Sequence, residues 1–199
     1  MRPIVRRCSP VTLTALLALS LVVPHAAAAK DPGRKHSKEL KADSKRAQID
    51  EAAQEALERL FEKKPEAKEL FEQSYGYAVF TNLKIAFGFS GGGGRGVAVD
   101  KKTGERTYMK MGTAGVGFGL GGQKYQVIFF FQTKEVFDDF VENGWQAEAS
   151  AKAAAGTHGA NVKTTFHNGI AVYQLTKKGL MANVDIAGTK YWKDPKLND

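Results

Sequence analysis

The chain has 199 residues, a formal net charge of +8 and one cysteine, with 43% hydrophobic and 25% charged residues. One cysteine excludes an intramolecular disulfide framework and a cysteine-built zinc site, while the apolar content is enough for one domain with its own core. The excess of 29 Lys and Arg over 21 Asp and Glu suits an anionic partner surface.

Arg2, Arg6 and Arg7 form a basic start, and residues 11–23 form an apolar stretch shorter than the ~18 residues that cross a bilayer. Ala27, Ala28 and Ala29 then supply small residues for cleavage, which is the pattern of a secretory signal peptide over residues 1–29. Cys8 precedes the apolar stretch, so it does not mark a lipoprotein site, and a mature chain starting near Lys30 has no cysteine. Of the charge of +8, the three leader arginines supply three, leaving +5. Most of that remainder sits in residues 30–46, where Lys30, Arg34, Lys35, Lys38, Lys41, Lys45 and Arg46 face only Asp31, Glu39 and Asp43. A flexible basic arm over 30–46 and a single domain over 47–199 are expected.

From Ser44 the pattern is helical. Ile49, Ala53, Ala56, Leu57, Leu60 and Phe61 recur at spacings of three and four, opposite Glu51, Glu55, Glu58 and Glu62. Pro65 ends that helix and opens a short second one that turns Leu70 and Phe71 inward. Strands are predicted over 75–81, 84–90, 95–100, 105–111, 113–120 and 124–131, with turns at 82–83, 91–94, 101–104 and 121–122. Thr133 caps a helix with the stripe Val136, Phe137, Phe140 and Val141, ended by Gly144. Further short strands are predicted over 148–155, 162–167, 170–175 and 180–187. Such short links favour an antiparallel meander. The fold class is therefore α+β, with N-terminal helices packed on a curved, barrel-like antiparallel sheet and one helix inserted after the central strands.

Within the sheet, Gly115, Gly117, Gly119 and Gly121 alternate with Val116, Phe118 and Leu120. Period two is the side-chain period of a strand, so these structural glycines leave one face as bare backbone. Glycine weakens a strand, and four in register are expected where a backbone, a helix or a ligand comes close.

These blocks, in this order, resemble the SYLF domain from about Ala47 to Trp192. The matching pieces begin with Gly76-Tyr77-Ala78-Val79-Phe80 and the run from Phe87 through Gly91-Gly92-Gly93-Gly94 to Val97. They continue with the glycines from Gly115 to Gly122, Val127 to Phe131 with the helix holding Phe137 and Phe140, Ala149 to Gly156, and Tyr173 to Leu180. Where many members carry a tryptophan-containing segment, this chain has Glu105 to Met111. The resemblance implies a lipid-binding module. Its eukaryotic members look like phosphoinositide-binding and, in fungi, actin-binding domains, and its bacterial members are exported proteins.

Gly88-Phe89-Ser90-Gly91-Gly92 matches a nucleophile elbow, which needs a helix behind the serine, and the sequence after Ser90 reads as strand. Gly91 to Gly94 lacks the Gly-Lys-Ser/Thr of a phosphate loop, and the alternating glycines lie inside a strand, unlike a dinucleotide fingerprint. His158 and His167 have no third metal ligand, and Asp138 and Asp139 sit on a helix face. No enzyme, cofactor or metal site is expected.

The candidate lipid-binding residues are Lys35, Lys38, Lys41, Lys45, Arg46, Arg95, Lys177 and Lys178. Their expected partner is an anionic lipid or membrane surface, because export favours lipid over nucleic acid. The function expected is an exported, non-enzymatic lipid-binding module, periplasmic or extracellular. Alternatives are a small outer-membrane β-barrel or structural envelope protein, and a binder of a small apolar ligand under the glycine-lined face.

Overall fold

A computed structural model describes residues 32–146, 165–176, 179–180 and 188–199. The strands expected over 148–155, most of 162–167 and most of 180–187, together with Lys177 and Lys178, lie outside the described residues. The elements in chain order are α1 (Pro32–Lys63), α2 (Glu66–Gln73), β1 (Gly76–Asp100), β2 (Arg106–Phe131), α3 (Lys134–Glu142), β3 (Trp145–Gln146), β4 (Ile170–Thr176), β5 (Gly179–Leu180), β6 (Thr189–Lys193) and α4 (Pro195–Asn198). All strand pairings are antiparallel, in the order β3-β6-β2-β4-β5, with β1 on the other edge of β2. The α+β class, the N-terminal helices on a curled sheet and the inserted helix agree with expectation.

The strand boundaries do not. Six predicted strands are two long ones, and of the four predicted turns only 101–104 is a turn. There Asp100 Oδ1 accepts from the amides of Lys102 (2.7 Å) and Thr103 (3.1 Å), and Gly104 takes a φ of +77°. The positions expected to turn at 82–83, 91–94 and 121–122 continue the ladder.

A straight strand of 25 residues would reach about 85 Å at ~3.4 Å per residue, far more than a small domain spans. β1 instead doubles back on itself. A methyl group placed at Gly96 would lie 2.2 Å from Val79 O, one at Gly94 2.4 Å from Thr81 O, and one at Gly92 2.6 Å from Leu83 O. The two halves of β1 therefore cross with their backbones in contact, and Gly92, Gly94 and Gly96 form the face that permits it. The bend coincides with a break in register, where Phe87 pairs with Leu120 but Phe89 with Val116, so β2 carries extra residues there. A close approach of the expected kind thus occurs at Gly92, Gly94 and Gly96; of the row from Gly115 to Gly121, only Gly121 has described surroundings. A side chain at Gly121 would meet nothing within 4 Å.

Alternation along the doubled hairpin separates two cores. Phe80, Met109, Met111, Val127, Phe129 and Phe131 point inward, where Phe137, Phe140 and Val141 of α3 and Tyr191 of β6 join them. Val79, Val97, Val99, Tyr108, Ile128 and Phe130 point outward under α1, α2 and Leu197. The alanine-rich stripe of α1 buries Ala53 and Ala56 on that outer valine face. As expected, the Thr133 side chain accepts from Val136 N at the start of α3, and Gly144 takes a φ of +72° beyond its end.

The helix expected from Ser44 already starts at Pro32. Residues 34–48 contain no Gly or Pro, and their Lys, Glu, Ala and Arg are good helix formers. The stretch can therefore extend a helix whose C-terminal half is docked, without an apolar stripe of its own. The pair β6 and α4 had no counterpart in the expected elements. Here Asn198 acts as a piece of strand: its Oδ1 accepts from Tyr108 N (2.9 Å) and its Nδ2 donates to Tyr108 O (2.7 Å).

The turn into α4 also carries a pH dependence. The Asp194 carboxylate is almost wholly buried, accepts from Lys196 N at 3.1 Å and lies 2.8 Å from Lys110 Nζ. Burial alone would raise its pKa, but the Lys110 and amide hydrogen bonds outweigh that and hold it below the usual value. A carboxylate with a depressed folded pKa stabilises the fold above its unfolded pKa of ~3.9, and that contribution is lost as pH falls through the folded value. Thermal melts between neutral and strongly acid pH are expected to show a shallower acid decline for Asp194→Asn, which keeps the cap and removes the charge. An unchanged slope would assign the acid sensitivity to other carboxylates.

Candidate functional site

The C-terminal two-thirds of α1 is held on the outer sheet face by polar contacts as well as by its leucines. Arg59 donates to Gln126 Oε1 (3.0 Å) and Thr176 O (3.1 Å), and Gln126 Nε2 donates to Ala52 O (3.3 Å). The Tyr108 hydroxyl donates to Asp50 Oδ2 at 3.0 Å, and burial together with that carboxylate pushes its pKa up to about 12. Arg46 donates through Nε to Leu197 O (2.8 Å), pairs with Asp43 (2.7 Å) and sits over the Tyr108 ring. Its guanidinium thus ties α1 to the C-terminus, whereas the sequence reading grouped it with the lipid-binding cations.

N-terminal to these anchors, Lys38, Lys41 and Lys45 are all exposed. Lys35 lies in the first turn of α1, and no side-chain geometry is described for it. Where α1 passes the edge of the sheet cover, a cleft of about 150 Å³ opens between helix and strand. Lys45, Gln48, Ile49, Ala52 and Ala53 line it from α1, and Val79, Thr81 and Arg95 from β1. The spacing 45, 48, 49, 52 is one helix face, and 79 and 81 are one strand face, so local geometry alone aims these side chains at each other. The fold-back of β1 brings Arg95 beside Thr81, since Gly94 touches Thr81 O. Two cations separated by 50 residues therefore meet over an apolar floor, with an amide and a hydroxyl between them. An open depression of about 550 Å³ continues from Lys45 and Gln48 along α1 past Lys41 and Leu40.

Lys45 and Arg95 are both among the expected cations, though nothing in the sequence places them together, and Gln48 and Thr81 are not among the expected site residues. The i, i+3 spacing of Lys45 and Gln48 was available as a signal. The partner strand was not, because it depends on the fold-back. Ser90 lies in the continuous run of β1, with strand on both sides and no helix behind it. His167 is exposed and His158 lies outside the described residues. Asp138 is paired with Lys134, and Asp139 accepts from Asn143 Nδ2 at 2.8 Å. Among the described residues no group of three or more His, Cys, Asp or Glu is placed to hold a metal ion. Among them, too, no helix is long and apolar enough to cross a membrane.

The sequence model of the Ysc84 family, described as Las17-binding protein actin regulator, matches residues 112–199, from the middle of β2 through α4. The chain is also similar to Beta cell expansion factor A of Aeromonas veronii, with 43% identity over 151 residues. That alignment covers 76% of this chain and 58% of the relative, so the chain spans little more than half the length of the protein it matches. On these two matches the chain belongs to the Ysc84, or SYLF, family.

Proposed function

We propose that the protein is an exported, non-enzymatic lipid-binding module that docks on anionic membrane surfaces. The observation that carries this reading is the cleft where Lys45 and Arg95 converge over Ile49 and Val79, continuous with the exposed cations on the first half of α1. Paired cations over an apolar floor suit an amphiphile with a negative head group and an aliphatic body. Membership of the family supports the reading, and the basic leader followed by an apolar stretch supports export.

The test is sedimentation with vesicles over a salt series. Each basic group near an anionic bilayer contributes about 1 kcal/mol, so Lys38→Gln/Lys41→Gln/Lys45→Gln is expected to weaken binding by about two orders of magnitude at low ionic strength. The difference should shrink as the Debye length falls below ~8 Å above physiological salt. All variants keep the same N-terminal segment, so its contribution cancels. Equal binding by wild type and triple variant, or equal binding to neutral and anionic vesicles, would sink the proposal. Arg95→Gln reports separately on the cleft.

A further inference from the structure

Among the described residues, α1 and α4 bury the outer sheet face as far as the pair Val97–Tyr108, and α1 borders Arg95 across the cleft. One step further, Arg95, Lys110 and Trp192 stand abreast on three neighbouring strands, because Arg95 pairs with Lys110 and Lys110 with Trp192. Directly opposed residues of antiparallel strands share a face, so all three side chains leave the sheet on its outer side. Lys190, two residues before Trp192, shares that face and is exposed. Trp192 lies over Gly112, where a methyl group would come within 3.2 Å of its ring, and 39% of the residue remains accessible. On the other side of the Lys45–Arg95 cleft, Leu83 and Ile85 continue the outward row Val79, Thr81 beyond the cover of α1. They are 41% and 56% exposed.

Large apolar side chains left in water this way need a reason. Trp192 stands among cations: Lys110 is matched by Asp194, while Arg95 and Lys190 add positive charge on either side of it. An indole has an apolar body and one polar N–H, and it favours the boundary between head groups and acyl chains. Cations beside the indole fit the same boundary when the head groups are anionic.

We propose that this face, with Trp192 at its centre and Arg95 and Lys190 beside it, lies against an anionic bilayer, the indole seated among the head groups. The proposal rests on the lipid-binding reading above and adds the orientation of the domain on the membrane.

The chain has two tryptophans, and the other, Trp145, packs in the inner core 5.5 Å from Phe129 and 5.8 Å from Tyr191 between ring centroids. Trp145→Phe therefore leaves Trp192 as the sole fluorophore. Titration of that variant with phosphatidylcholine–phosphatidylglycerol vesicles is expected to shift its emission to the blue, protect it from acrylamide and expose it to quenching by brominated phosphatidylcholine. Trp192→Ala is expected to weaken sedimentation with the same vesicles several-fold. If Trp145→Phe fails to fold, the lipid-quenched emission lost on Trp192→Phe in the otherwise unchanged chain gives the same answer. Vesicle binding with Trp192 still open to acrylamide and untouched by brominated lipid overturns the orientation and leaves lipid binding standing. Absence of vesicle binding by the unsubstituted chain overturns both.

Discussion

Gly96→Val is expected to prevent stable folding, while Gly93→Ala, three residues earlier in the same strand, is expected to leave stability within about 0.5 kcal/mol of wild type. The first methyl carbon added at Gly96 would lie 2.2 Å from the carbonyl oxygen of Val79 and 2.5 Å from the Phe80 ring. The carbonyl belongs to the backbone of a paired strand, and Phe80 is fully buried among other rings, so neither can yield cheaply. Relief would need the two halves of β1 to separate, which would undo both cores at once. A loss above ~4 kcal/mol follows, against a total of ~5–15 kcal/mol for a domain. At Gly93 the added carbon would lie 3.6 Å from Met111 O, an ordinary contact, and the side chain would face solvent. Alanine there also restricts the unfolded chain, which offsets any small crowding. Urea denaturation of both variants checks the pair. If Gly93→Ala costs as much as Gly96→Val, the fold-back does not explain this glycine row.

The same row shows where sequence reasoning reached and where it stopped. Strands over 75–81 and 124–131 were legible because the strand period is local, and that period sets Val79 against Ala78 and Phe80, and Ile128 against Val127 and Phe129. Thr133, Val136, Phe137 and Phe140 were legible for the same reason. Gly91 to Gly94 looked like a turn because clustered glycine is the usual mark of one, and the distinction from a strand crossing depends on residues 79–84, which lie on the other half of β1. Once Asn82-Leu83 and the glycines are both read as turns, one strand of 25 residues becomes three. The basic stretch before Ser44 lacked the apolar spacing that announces a helix, and its helicity comes from propensity and from the docked half that follows it. The candidate site was half legible. Lys45 and Arg95 stood out by charge, but what brings them together is the doubling of β1. Trp192 carried no signal beyond its type, because the pairing of β6 beside Lys110 is set by a return of the chain from residue 113 to residue 189.

Phe129→Ala is expected to cost about 3–5 kcal/mol, and Tyr191→Phe, in contact with it, is expected to cost nothing or to stabilise by about 1 kcal/mol. Phe129 is fully buried, and its ring centroid lies 5.1 Å from Tyr191, 5.3 Å from Phe140, 5.5 Å from Trp145, 6.0 Å from Phe80 and 6.2 Å from Phe131. These partners belong to β6, α3, β3, β1 and β2, so the ring is the point at which those elements meet. Truncation would leave a cavity that five separately anchored neighbours cannot collapse to fill. Tyr191 contributes to the same cluster through its ring, while its buried hydroxyl has no hydrogen-bond partner among the described residues. Burial, with Tyr125 nearby, drives its pKa well above the usual tyrosine value, as expected for a phenol removed from water. Phenylalanine keeps the ring contacts and removes an uncompensated polar atom. Thermal denaturation of the two single variants and the double variant separates the terms. A Tyr191→Phe loss above ~1 kcal/mol would mean that the hydroxyl has a partner such as a buried water, and its role would then be structural. Neither substitution touches the Lys45–Arg95 cleft or the Trp192 face on the outer side of the sheet. Vesicle binding by whatever fraction of each variant remains folded is therefore expected to match wild type, which separates the core that holds the sheet from the surface proposed to meet the membrane.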